Sequence, residues 1–322
     1  MTEARLQTER DGRVLVVRLT NPPRTFFDEQ MGIELRALVR EIDKDSSLGA
    51  VILTGKNLFV THYNVPDLVR ANRGVPFPIP YRLGRASGAY ARLLERAGWL
   101  WPALRKTPMR DAINAARAYR TFAQMNASDK VFIAAINGLG LGMGTVLALA
   151  CDLRLMADGE DAAVGLIETG ISMLAGAGGT QRLTRMVGQS RAAELLLEGR
   201  WLAPREAAAI GLIHRVVDAD ELDDEALALA HRLAGRSPIV NRELKRMVYD
   251  AGSRPFTRAV RMEAASLTAT MTTVRAKQDM ETYLGELAKH DRPSDRDVLD
   301  AWEKMLATGP SEAHVSADER AI

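Results

Sequence analysis

Apolar and polar positions change period several times along the chain, and each change predicts an element. Leu6 to Thr8 and Arg13 to Leu19 read as two strands joined at Asp11-Gly12, a dipeptide suited to a hairpin turn. Asn21-Pro22-Pro23 ends the second strand. From Phe27 to Ile42 the residues Met31, Ile33, Leu35, Leu38, Val39 and Ile42 recur at helical spacing, which predicts an amphipathic helix. Gly49 to Thr54 is a short apolar strand, so strand, helix and strand follow at the spacing of a right-handed crossover. Val131 to Ile136, Leu153 to Met156 and Ile213 to Val217 read as further strands. Helices are predicted at Thr145 to Ala150, Gln181 to Val187, Ser190 to Leu197 and Leu202 to Ala209. From Glu221 onward the pattern is almost wholly helical: Asp223 to Ala234, Ile239 to Tyr249, Phe256 to Thr270 and Val274 to Lys289. Mixed α/β followed by a run of helices predicts an α/β core over 1–218 and a second, helical packing unit over 219–308. Gly309 to Ile322 is mostly polar and is expected to be a disordered tail.

Composition narrows the class without fixing it. A chain of 322 residues with 47% apolar and 26% charged residues can bury an ample core. A net charge of +2 calls for no nucleic-acid partner. The sole cysteine, Cys151, lies in an apolar run, cannot form an intramolecular disulfide and reads as a core residue. The chain has no run of ~18 apolar residues, and MTEARLQTERDG lacks the apolar segment of a signal peptide, so a cytoplasmic setting is expected. His62, His214, His231, His290 and His314 show no metal-ligand spacing, and no metal site is expected.

Candidate chemistry begins at Lys130 to Asp152, KVFIAAINGLGLGMGTVLALACD. A buried strand passes through Gly138, Gly140, Gly142 and Gly144 into a helix. A helix opening from such a turn leaves its first N–H groups unpaired, a place suited to a phosphate or to an oxyanion formed during a reaction. The dinucleotide fingerprint, glycine at first, third and sixth positions, fails here: the sixth residue is Met143 counted from Gly138 and Thr145 counted from Gly140. A phosphate-cradling P-loop fails too, because no lysine follows the glycines. By themselves the glycines could equally serve close backbone packing.

The next stretch decides between these readings. Gly165 to Leu183 is GLIETGISMLAGAGGTQRL, and with IAAINGLGLGMGTVLALACD it resembles the crotonase (enoyl-CoA hydratase/isomerase) superfamily. The similarity extends at lower density over most of residues 12–290. It implies a ββα spiral core followed by C-terminal helices that build a trimer, with trimers pairing into hexamers. It implies an acyl-CoA thioester as substrate, with coenzyme A present only as part of it and no other cofactor. It also implies an oxyanion hole for the thioester carbonyl, made from the backbone N–H groups of Tyr63 and Met143. His62, Asn64, Gly142 and Val146 would surround the substrate. The family's hydratases use two glutamates. One position is Glu168 here; the other is Val146, which cannot ionise. A single carboxylate beside an oxyanion hole can still move a proton between two carbons, so the resemblance favours double-bond isomerisation through Glu168. The alternatives are hydratase, lyase or hydrolase chemistry with a second group from His62 or Tyr63, or a catalytically weak acyl-CoA binder.

Residues 66–120 depart from the family pattern as an arginine-rich insertion. It holds Arg70, Arg73, Arg82, Arg85, Arg92, Arg96, Arg105, Arg110, Arg117, Arg120 and Lys106, with Tyr90, Trp99 and Trp101 among them, and Pro76, Pro78 and Pro80 make its start extended. A solvated excursion, a lid over the acyl site, a clamp on coenzyme A phosphates and contact with an anionic membrane surface all stay open.

Overall fold

The computed structural model describes residues 4–73, 78–96 and 109–307. The strands β1 (Leu6–Asp11) and β2 (Val14–Leu19) form an antiparallel hairpin at one edge of a six-stranded sheet. The strands β3 (Ala50–Gly55), β4 (Val131–Ile136), β6 (Leu153–Ala157) and β8 (Arg215–Val217) continue it in parallel, in the order β1-β2-β3-β4-β6-β8. The short strands β5 (Leu139–Leu141) and β7 (Ala163–Gly165) pair in a separate parallel sheet.

Every residue of β3 and β4 is buried, as expected of central parallel strands covered on both faces. Alternate side chains enter two cores. Val51, Leu53, Phe132, Ala134 and Ile136 face the larger cluster, with Met31, Leu35, Val39 and Ile42 of helix α1 (Glu29–Lys44). Ala50, Ile52, Val131, Ile133 and Ala135 face the smaller one. Asp28 caps α1 by accepting the Met31 N–H at 2.8 Å, which sets its start two residues later than the periodicity suggests.

The insertion is helical in its described parts: α2 (Val65–Arg73), α3 (Tyr81–Arg96) and α4 (Met109–Ala127). After β4 come α5 (Met143–Ala150), α6 (Gly179–Val187), α7 (Gln189–Glu198) and α8 (Pro204–Ala209). Then α9 (Leu222–Ala234), α10 (Pro238–Tyr249), α11 (Phe256–Met271), α12 (Val274–Leu287) and α13 (Asp295–Ala307) complete the chain. The helix α13 lies beyond the last helix read from the sequence, and the expected tail from Gly309 falls outside the described residues.

The boundary expected at 218/219 does not separate two packing units. Leu222, Ala226, Leu229, Ala230 and Ala234 of α9 fill the second core against the sheet, so α9 is a layer of the α/β fold. Helix α10 is tied in by a buried polar cluster. Lys245 Nζ donates to Asp152 Oδ2 at 2.7 Å and to the carbonyls of Met125 and Lys130 at 2.8 and 2.7 Å. Asp152 also accepts the Tyr249 hydroxyl at 2.9 Å and the Phe132 N–H at 2.8 Å. Removing one member of such a cluster strands the rest in low dielectric, so Lys245→Met is expected to cost ~3–5 kcal/mol of stability. Equilibrium urea unfolding of the two proteins measures it.

Candidate active site

Two loops that leave the carboxyl ends of the neighbouring strands β3 and β4 build the site, the position where parallel sheets commonly bind ligands. Asn137 holds the two exits together: its amide donates to the Gly55 carbonyl at 2.9 Å and accepts the Gly55 N–H at 3.2 Å. Beyond it the chain runs through β5 with successive N–H groups facing opposite edges. Leu141 donates to the Thr61 carbonyl at 3.0 Å, and Gly142 donates to the Gly165 carbonyl at 2.7 Å. The loop after β3 therefore lies along one edge and β7, with Glu168 shortly after it, along the other.

The glycines at the end of β5 are needed for space. Gly142 has φ +50°, and a Cβ there would lie 3.1 Å from Glu168 Oε1. A Cβ on Gly144 would lie 1.9 Å from the Val60 carbonyl oxygen, so only glycine lets helix and loop approach. Thr145 secures the turn, accepting the Gly165 N–H at 2.8 Å with the Gly140 carbonyl within donating reach. Neither Asn137 nor Thr145 was singled out from the sequence; the signal was a polar residue at each end of the glycine run.

Met143 is the first residue of α5, so its N–H has no acceptor within the helix. Tyr63 forms a one-residue parallel bridge with Phe27. That bridge uses the Phe27 N–H to His62 carbonyl and Asn64 N–H to Phe27 carbonyl bonds, both 2.8 Å, so the N–H of Tyr63 is turned away from Phe27. One backbone donor from a helix start and one from the adjoining loop suit a developing oxyanion. Both side chains, Tyr63 and Met143, are half-buried against the main core.

Glu168 opens a 3-10 turn, Glu168–Ile171. Its Oε2 is buried and has no hydrogen-bond partner. Burial raises the carboxyl above the usual range, partly offset by its own backbone N–H and by the charge of His62. The imidazole of His62 has Nδ1 2.6 Å from the Tyr63 carbonyl, which can only accept, so Nδ1 carries the proton. The ring packs on Phe26 with centroids 4.8 Å apart.

Two residues expected around the substrate are committed elsewhere. Asn64 gives its N–H to Phe27 and its side-chain amide to Asp67 at 3.0 Å, serving the start of α2. Val146 is 0% exposed, in the same core cluster as Leu166 and Ala175. Its Cγ2 lies only 2.7 Å from where a Gly179 Cβ would be, so it seals α5 against α6 and lines no open space. Within the insertion, Arg110 and Asn114 bind Glu29 of α1 and Arg70 pairs with Asp67, so those two arginines hold the protein to itself. Arg82 and Arg85 are exposed beside the exposed Tyr81 and Leu83. Trp99, Trp101, Arg105 and Lys106 lie outside the described residues.

The family description "Enoyl-CoA hydratase/isomerase" matches residues 99–291. The chain belongs to the enoyl-CoA hydratase/isomerase family. The family protein YngF of Bacillus subtilis is 32% identical over 246 residues, 76% of this chain and 81% of that protein. The short-chain-enoyl-CoA hydratase of Clostridium acetobutylicum is 25% identical over 86% of this chain and 93% of its own. A solved enoyl-CoA hydratase of Geobacillus kaustophilus superposes with a TM-score of 0.72 at 24% identity, covering 88% of this chain and 95% of its own, and shows the same crotonase fold. A Thermobifida fusca protein assigned as an enoyl-CoA hydratase and solved with CoA superposes with a TM-score of 0.65 at 27% identity, covering 89% and 95%.

In this family member the raised Glu168 carboxyl has a consequence for stability. A carboxyl whose folded pKa exceeds its unfolded value, about 4.3, destabilises the fold once pH rises past that value. Glu168→Gln is therefore expected to melt at a higher temperature than the parent at pH 7.5, with the gain fading towards pH 4. Thermal scans across that range measure the difference.

Proposed function

We propose that this chain binds acyl-CoA thioesters and shifts their double bond from the 3,4 to the 2,3 position. One observation carries the reading: Glu168 is the carboxylate beside the bare Gly142, while the place of a second carboxylate is Val146, sealed in the core. Glu168 takes the proton α to the thioester, and its electron pair moves into the carbonyl. The N–H groups of Met143 and Tyr63 hold the resulting enolate oxygen, and a proton returned to the γ carbon completes the shift. A proton leaves and a proton returns, so the step asks for no group beyond the CoA of the substrate. The CoA bound in the Thermobifida fusca relative supports the thioester class. Several relatives bear hydratase names, but the position of their second glutamate is Val146 here, buried and unable to ionise.

Self-association into trimers or hexamers belongs to the same reading. Phe256, Leu267, Leu284 and Leu299 on α11 to α13 are more than half exposed, an apolar surface fit for copies of the chain. Light scattering is expected to give three or six chains per particle, and a monomer would contradict it.

Turnover of a panel of 2-enoyl and 3-enoyl thioesters tests the reaction. Conversion of 3-enoyl thioesters is expected, and Glu168→Gln should lower its rate ~10²–10⁴-fold with little change in affinity, since the oxyanion donors are backbone groups. Val146→Glu should add slow hydration of 2-enoyl thioesters at a cost in stability, because it places a carboxyl in an apolar core. Wild-type rates in Glu168→Gln would remove Glu168 from the mechanism.

A further inference from the structure

The site holds a second titratable side chain that the single-carboxylate reaction leaves without a role. His62 sits on the loop along one edge of β5, next to Thr61, which accepts the Leu141 N–H at 3.0 Å. Glu168 comes from the opposite edge, beyond Gly165, which accepts the Gly142 N–H at 2.7 Å. Between them is Gly142, whose missing side chain leaves open the space in front of Glu168 Oε1. The two groups thus approach the same short stretch of backbone from its two sides, next to both candidate oxyanion donors.

The imidazole is fixed for proton transfer. Its Nδ1–H is spent on the Tyr63 carbonyl at 2.6 Å and its ring lies tilted against Phe26, so Nε2 is the nitrogen left for chemistry. Other charged groups nearby are occupied: Asp67 on the following helix is bound by Asn64 at 3.0 Å and by Arg70 at 2.9 Å. The phenol of Tyr63 lies on the same loop, its ring packed 6.1 Å from that of Phe27. The effect of His62 on the ionisation of Glu168 agrees with this placement.

We propose that His62 is the second proton-transfer group of this site, opposite Glu168 across Gly142, and that the reaction uses both. Resting on the isomerase reading, the step balances as follows. The Glu168 carboxylate breaks the α C–H bond and becomes the carboxylic acid, and the electron pair spreads over the dienolate. The γ carbon then bonds the proton from imidazolium Nε2, which becomes neutral. Glu168 releases its proton and His62 regains one from water before the next turnover. Because the two groups work from opposite sides, the proton delivered to the γ carbon is not the one removed from the α carbon.

Two measurements test this. The first needs no turnover: the His62 ring signals are followed by NMR in histidine-labelled protein at one fixed pH, identified by their loss in His62→Asn. Glu168→Gln is expected to displace those signals, and signals that do not move overturn the proposal. The second follows a 3-enoyl thioester deuterated at C2, in ordinary water. Protium is expected at C4 of the product, and deuterium carried from C2 to C4 overturns the proposal. In His62→Asn the side-chain amide can still donate to the Tyr63 carbonyl but has no Nε2, so a rate loss of ~10²-fold with retained thioester affinity is expected. A wild-type rate in that variant overturns it. Displaced His62 signals in a protein that leaves 3-enoyl thioesters unchanged support the pair and remove the isomerase reading instead.

Discussion

The alternating hydrogen bonds of Leu141 and Gly142 are the constraint on which the site depends. One N–H reaches Thr61 and the next reaches Gly165, so two chain segments far apart in sequence are held along opposite edges of the same few residues. Buried backbone groups must be paired, and each of these bonds lies where an unpaired N–H would cost about 1–3 kcal/mol. The surrounding residues serve that arrangement. Asn137 fixes where the two loops depart, Thr145 closes the turn, and Gly144 permits the contact with Val60 that brings the loop after β3 against the start of α5.

Glu168 shows the opposite economy. Its Oε2 is buried without a partner, a state that favours the neutral acid and weakens the fold at neutral pH. The turn that presents it is exposed, and Thr169 ties it back by donating to the Leu196 carbonyl at 2.6 Å. Such a group suits proton transfer, since a carboxyl oxygen already removed from water needs less desolvation during the reaction.

Much of this was legible in the chain. The strand Val131–Ile136 has the bounds its apolar run suggests, and the helices of the core differ from their periodicity by a residue or two, where caps such as Asp28 intervene. The motif residues Gly142, Met143 and Glu168 were found by pattern and lie in one place. Other features could not be read locally. β5 and β7 are three residues long, too short for a period to show, and exist because each supplies the other's bonds. α9 looked like the first of the outer helices because its stripe of Leu and Ala does not say which surface it meets. Asn64 is bound to Phe27 and Asp67, and Val146 seals the core against α6, because of neighbours that are, Asp67 aside, distant in sequence. The placement of His62 opposite Glu168 required both edges of β5 to be known.

The buried cluster around Asp152 has a consequence for how such a chain can be altered. Asp152 lies at the junction between the helix that starts at the active-site glycines and the next strand of the sheet, and its carboxylate is satisfied by Lys245 and Tyr249. A gene cut after the last sheet strand would therefore not yield a smaller, self-sufficient module. It would leave the Asp152 carboxylate without Lys245 and Tyr249 and uncover the face of the sheet that α9 packs on. Exchange of parts among homologues has to place its crossovers beyond Tyr249, so that Asp152 keeps both partners.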